Sequence, residues 1–291
     1  GALSFDRKEY RQAEDFLSRF VSAAPQHIPA RKLLATVHLA LTQNAEAIST
    51  LEGSVNEATD DAQLLALLGS AYLANRDAEN GTRLLERAAG LDPKAAAIRT
   101  QLALSQLASG DSANAVASLE NAVQLDPSFT RADLLLIFAH LRNNKWDEAI
   151  TAATSLAAKR EDDPVPLNLL GAAYAGKKDI DKAREYYGKA LAADPKFSNA
   201  ALNIASLDLQ QGKTEAAVKR YEALLAINPK LEQASIGLAQ VASRSGDLKE
   251  VARILQSARR ANSKAIGSRL MLSRVLQTQG NGAESFAVAE E

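Results

Sequence analysis

The stretch PVPLNLLGAAYAGKKDIDKAREYYGKALAADP, residues 164–195, decides the fold. It holds two runs with apolar residues at helical spacing. The polar turn Gly176-Lys177-Lys178-Asp179 separates them and a proline closes the unit. Leu170, Tyr174, Tyr187 and Leu191 supply bulk. Gly171, Ala183 and Ala190 are small where two helices must approach closely. The spacing predicts a helix–turn–helix hairpin.

The hairpin is repeated. Steps of 34 residues from Gly171 reach Ala205, Ala239 and Ser273 in one direction. In the other they reach Ile137, Ala103, Gly69 and Ala35. The residue before each is Leu or Ile. The same step from Pro195 gives Pro25, Pro93, Pro127 and Pro229, and fails to find proline at Thr59, Glu161 and Ser263. Those three exceptions lie 102 residues apart, as do His38 and His140, which points to growth by copying three repeats at a time. One frame runs through the chain without insertion or deletion. It divides residues 1–27 (a partial repeat), 28–265 (seven full repeats) and 266–291 (a partial repeat). The first segment reads as the end of one helix and a second helix from about Asp6 to Ala24.

A Leu-Gly pair, a Tyr, recurrent Ala positions and a closing Pro at these offsets resemble the tetratricopeptide repeat. The resemblance implies an all-α, right-handed superhelical solenoid of antiparallel helix pairs, about 17 helices in all. The first (A) helix of each pair would line a concave groove and the second (B) helix the convex face. Such an array is a single repeat domain over residues 1–291. Gly1 falls inside a repeat, so the chain is expected to be a fragment of a longer protein.

Composition narrows the function. There is no cysteine, which removes thiol chemistry, disulfides and cysteine-ligated metal. The longest apolar run, 134–139, is too short to span a bilayer. No catalytic constellation assembles. Residues 171–178 mimic a phosphate loop but lack the final Ser/Thr and a preceding strand. His38 and His140 occupy the repeat's tyrosine position three repeats apart and read as packing residues. Neither a cofactor nor a metal site is expected, and the chain reads as a non-catalytic binder. Nucleic acid is not expected either, because the basic helix-B residues Arg253, Arg259, Arg260 and Lys264 have no aromatics among them.

The repeat frame assigns groove residues. An apolar strip of Leu104, Leu107, Leu134, Phe138 and Leu141 is rimmed by Arg131 and Arg142. Next come Asn168, Asn199 and Asn203, whose amides both donate and accept and therefore suit a peptide main chain. Gln240, Arg244, Arg274 and Gln277 make a polar, basic end suited to a carboxylate or an anionic polysaccharide. Residues 212–274 carry 12 Lys/Arg against 5 Asp/Glu, about +7. The carboxylate clamp of chaperone-docking family members is absent: Lys32 is followed four residues on by Thr36 rather than Asn.

Residues 164–274, with the preceding AHLRNNKWDEAI, are similar to the long repeat lipoproteins of exosortase (PEP-CTERM) systems. That resemblance implies a lipoprotein scaffold of the bacterial periplasm or outer membrane, associated with exopolysaccharide export or protein sorting. It would bind a peptide or protein in the groove. A cytoplasmic adaptor or co-chaperone of the same fold is the alternative expectation.

Overall fold

The computed structural model describes residues 1–290, and among them there are eighteen α-helices and no strand. The chain divides into two compact units, Gly1–Ala152 and Ala153–Glu291, with the boundary inside one helix. In the first unit the A helices are α1 (Ala2–Asp6), α3 (Ile28–Ala40), α5 (Ala62–Ala74), α7 (Ala96–Ala108) and α9 (Thr130–Arg142). Its B helices are α2 (Tyr10–Ala23), α4 (Asn44–Glu52), α6 (Ala78–Leu91) and α8 (Ser112–Leu125). Helix α10 (Trp146–Lys159) holds the boundary. The second unit has A helices α11 (Pro164–Gly176), α13 (Ser198–Gln210), α15 (Glu232–Arg244) and α17 (Ile266–Thr278). Its B helices are α12 (Ile180–Ala193), α14 (Thr214–Ile227), α16 (Leu248–Ala261) and α18 (Gly282–Glu290). Two helices in each of the seven full repeats and in each terminal partial repeat make 18, one more than the expected count of about 17.

Within each unit the pairing follows from the small residues. Hairpin partners pack together, as α5 does on α6 and α11 on α12. From α3 onward in the first unit and throughout the second, each A helix also packs on the next A helix of its unit, as α3 on α5 and α13 on α15. Fully buried alanines such as Ala35, Ala47, Ala103, Ala115, Ala183 and Ala205 stand where backbones approach. Leu51, Leu65, Leu85, Leu119 and Leu255 fill the remaining space, each almost wholly removed from water.

The turns show why the period is so regular. Lys8, Thr42, Arg76, Gly110, Asn144, Lys178, Gly212, Gly246 and Gly280 lie 34 residues apart and all have positive φ. Each ends an A helix in the left-handed conformation that glycine adopts without steric cost. Two expectations shift accordingly. Gly176 belongs to α11, so the turn is Lys177-Lys178-Asp179. Asp6 belongs to α1 and the following B helix starts only at Tyr10, after Lys8. Thr42, at φ 61°, is β-branched and suits this conformation least. Thr42→Gly is expected to stabilise the protein by about 1 kcal/mol, measured as a raised denaturant midpoint. A lowered midpoint would show that the threonine side chain contributes more than its backbone costs.

B helices end by a second device. Pro25, Pro93, Pro127, Pro195 and Pro229 each stand two residues beyond a B helix, where proline cannot continue it. The residue before four of them, Asp92, Asp126, Asp194 or Asn228, accepts a hydrogen bond from the backbone N–H two residues on. Asn262 makes the same turn without the proline, so α16 keeps its full length despite Ser263. At Thr59 both signals are missing, because Ala58 stands in the Asp/Asn position. There α4 stops at Glu52, and the register of α6 would have carried it to residue 57. Arg87 of α6 gathers the freed loop by donating to the carbonyls of Asn56, Glu57 and Thr59 at 3.1–3.2 Å. The three missing prolines therefore have no common structural effect.

Candidate functional site

In the second unit the three predicted asparagines come together. Asn168 of α11 and Asn199 and Asn203 of α13 line one cleft of about 370 Å³ with Leu202, Tyr221 and Gln233. The Asn203 amide donates to Asn168 Oδ1 at 2.9 Å, which links adjacent A helices and fixes the orientation of both side chains. The other amide groups remain to face the cleft. Gln233 is the residue 34 positions after Asn199, so the repeat frame already contained it. No charged side chain lines the cleft. It offers paired donors and acceptors of neutral character, as a polypeptide main chain requires.

Tyr221 was not legible as part of this site. It belongs to the B helix α14, yet its side chain reaches the cleft from beneath and is 5% exposed. The path exists because of Gly237 on α15: a Cβ there would lie 2.4 Å from Tyr221 Cζ. Burial pushes the phenol above its ordinary range, the Arg244 charge opposes this and that of Asp208 adds to it. The hydroxyl thus stays protonated and able to donate at neutral pH.

Asp208 holds the frame behind the asparagines. Its carboxylate is 3% exposed and sits between Arg184 of α12 at 2.8 Å and Arg220 of α14 at 3.0 Å. Arg184 also donates to Gln211. One buried group therefore ties α13 to the B helices on both sides. Further along, Glu232 of α15 accepts the Ser268 backbone N–H of α17 at 2.6 Å. Gly267 lets the two elements meet, since a Cβ there would lie 3.0 Å from Glu232 Oε1.

The predicted basic end is solvent-facing. Gln240, Arg244, Arg274 and Gln277 are all exposed on α15 and α17. Arg244 and Arg274 do not line the amide cleft.

In the first unit, Arg131, Phe138, Leu141 and Arg142 lie on α9. Both arginines are exposed, Phe138 is 52% exposed and Leu141 is half-buried. A separate hollow lies across α3, α5 and α7. It measures about 470 Å³ and has Leu33, Ala66, Leu67 and Ile98 as its apolar floor, with Lys32, Thr36, Gln63 and Gln101 around them. Lys32 reaches Asp61 at 3.0 Å, while Asp61 caps α5 by accepting from Leu64 N–H. Burial alone would raise the Asp61 carboxyl; the Leu64 hydrogen bond and the Lys32 ammonium outweigh it and hold the group below its usual range. The lysine that fails the clamp pattern thus orders the wall of an A-helix hollow.

Residues 171–176 are helical, so the phosphate-loop mimic has its backbone N–H groups turned into α11. His38 and His140 are each 7% exposed at the register of Tyr72 and Tyr174. Burial keeps the His140 imidazole below its ordinary range, partly offset by Glu120 and Glu148. No helix among the described residues is long and apolar enough to cross a membrane.

A family model described as tetratricopeptide repeat matches residues 4–71, 106–173, 174–241 and 208–272. A second model with the same description matches residues 66–128. No curated protein matches the chain. Among solved structures, yeast Tom70 is similar with a TM-score of 0.65 at 17% identity, over 97% of this chain and 58% of its own. The APC/C hetero-tetramer Cut9-Hcn1 gives 0.56 at 16% identity, over 92% of this chain and 52% of its own. MamA from Desulfovibrio magneticus RS-1 gives 0.52 at 19% identity, over 60% of this chain and 98% of its own. The chain spans little more than half the length of the first two. At these identities the likeness is one of fold.

Proposed function

The chain belongs to the tetratricopeptide-repeat family, and we propose on that premise that it is a non-catalytic scaffold holding an extended segment of a protein partner on its A-helix face. Members of the family generally serve as protein–protein interaction scaffolds. The observation that carries the reading is the uncharged cleft of Asn168, Asn199, Asn203 and Gln233 over the Tyr221 hydroxyl. Carboxamides and a phenol can pair with main-chain N–H and C=O groups whatever the side chains of the segment. Binding of this kind tolerates many sequences and depends on an available backbone.

The wider setting is supported by the resemblance of residues 164–274 to lipoproteins of exosortase systems. The scaffold then serves a bacterial envelope complex for exopolysaccharide export or protein sorting. It lies in the periplasm or, through the full-length protein, on the outer membrane. A lipidation cysteine upstream in the full-length sequence would support this setting; a start without any export signal would favour a cytoplasmic adaptor. Direct capture of an anionic polysaccharide is a second reading, favoured by the exposure of Arg244 and Arg274 on α15 and α17.

The test uses a panel of unrelated, unstructured peptides and their N-methylated counterparts. Wild type is expected to bind several of the former and to lose at least tenfold in affinity for the latter, because N-methylation removes the main-chain donor. Asn168→Ala/Asn199→Ala/Asn203→Ala should produce a similar loss with an unchanged helical spectrum. Equal affinity for methylated and unmethylated peptides would refute main-chain holding.

A further inference from the structure

The B-helix face carries a feature that the A-helix reading does not use. Between α14 and α16, with α15 as its floor, lies a cleft of about 410 Å³. Leu225, Pro229, Leu238, Ile254, Ala258 and Ala261 form its apolar surface. Its origin is visible in the repeat register. Ala258 and Ala261 of α16 stand where the preceding B helix has Leu224 and Ile227. Two branched side chains are replaced by methyl groups, and the volume they would occupy is open. The apolar walls of this hollow leave unpartnered apolar surface in one place.

The charges around it have one dominant sign. Lys230 follows the wall residue Pro229, Arg260 precedes the wall residue Ala261, and Lys264 lies just beyond; all three are exposed. Arg253 lines the cleft but is held by Glu250 in a two-point contact at 2.6–2.7 Å, so its charge is largely compensated. Glu222 is the one acidic residue in the wall. The segment 212–274 as a whole has 12 basic against 5 acidic residues. An apolar hollow within a basic surface selects a ligand that is apolar on one side and acidic on the other.

We propose that this cleft docks an acidic amphipathic helix of a protein partner, with one apolar side chain filling the space left by Ala258 and Ala261. A helix presents apolar residues at positions i, i+3, i+4 and i+7 along one face and carboxylates on the other. It can therefore reach the hollow and Lys230, Arg260 and Lys264 together. An anionic polysaccharide is drawn by the same cations but has no side chain to place in the hollow. The proposal concerns the opposite helix of each hairpin from the amide cleft and does not depend on it.

The experiment titrates a labelled 20-residue helical peptide with leucines at positions i, i+3, i+4 and i+7, glutamates beside them and alanines elsewhere. Controls are the same peptide with its leucines replaced by alanine, and alginate as the polysaccharide. The wild-type chain is compared with Ala258→Leu/Ala261→Ile, which refills the cleft with the side chains of the preceding repeat. It is also compared with Lys230→Glu/Arg260→Glu, which changes only exposed residues and leaves the packing untouched. Each variant is first checked for an unchanged helical spectrum. The leucine peptide is expected to bind wild type, to lose at least tenfold in affinity for either variant, and to weaken as salt is raised. Equal binding of the leucine and alanine peptides would overturn the proposal in favour of charge attraction alone. So would alginate binding that the refilled cleft leaves intact while the peptide fails to bind. Failure of the peptide to bind wild type would also overturn it.

Discussion

Replacing both Arg184 and Arg220 by alanine should destabilise the second unit by about 4 kcal/mol, more than the two single replacements together. The reason is the asymmetry of the cluster. The Asp208 carboxylate is 3% exposed, whereas the side chains of Arg184 and Arg220 are 32% and 43% exposed. Either arginine alone still pairs with the carboxylate. Loss of both strands a buried negative charge, whose desolvation is then uncompensated. Asp208→Asn should cost less, about 2 kcal/mol, because the arginines left behind can turn to water and the amide keeps some of their hydrogen bonds. Denaturant midpoints of the four proteins form the double-mutant cycle. Strict additivity would show that the carboxylate has other means of compensation. Because α13 also carries Asn199 and Asn203, the double variant is further expected to loosen the amide cleft.

Gly171→Leu should cost about 3 kcal/mol through overpacking. A Cβ at Gly171 would lie 2.5 Å from Cδ1 and Cε1 of Tyr187, and Tyr187 is 3% exposed. The aromatic ring has no free space to move into, so either α11 and α12 separate or the ring leaves the core. Burial pushes the Tyr187 phenol up to about 12, which records how thoroughly water is excluded there. The glycine and the tyrosine are thus one feature. Tyr187→Leu should relieve much of the cost of Gly171→Ala, as Ala103 and Leu119 at the same register of the first unit already combine an alanine with a leucine in one buried cluster. Unchanged midpoints for Gly171→Leu would contradict the contact. A Gly171→Ala penalty that persists in the Tyr187→Leu background would place the strain elsewhere.

Much of the architecture is legible in one dimension because each repeat solves the same local problem. A backbone that must turn left-handed every 34 residues accepts Gly, Asn or a strained substitute, and those residues mark the period. A B helix that must stop accepts Asp or Asn and then Pro. Most helix boundaries followed from these rules; α4 is the exception, stopping early at Glu52, whereas α10 reaches Lys159 with Arg160 and Glu161 in the same two positions. The grouping of Asn168, Asn199 and Asn203 was legible for the same reason, since equal positions on successive A helices share a face.

Side-chain direction was not legible. Tyr187 and Tyr221 occupy the same repeat position on successive B helices, and nothing in the sequence around them distinguishes their roles. In the structure Tyr187 packs under Gly171 of its own hairpin, while Tyr221 passes under Gly237 of the next and lines the amide cleft. The choice depends on which flanking A helix lacks a Cβ at the point of contact, and that point exists only once the helices are packed. Asp208 is a similar case: it looks like an exposed polar residue until α12 and α14 bring two arginines to it. The sequence by itself determined the repeat, most of the helix limits and the face on which the asparagines lie, because these depend on local backbone conformation and fixed spacing. Only the tertiary structure decided which tyrosine serves the site, what holds α13 in place and where the B-helix face is hollow, because these depend on volumes and charges contributed by neighbouring repeats.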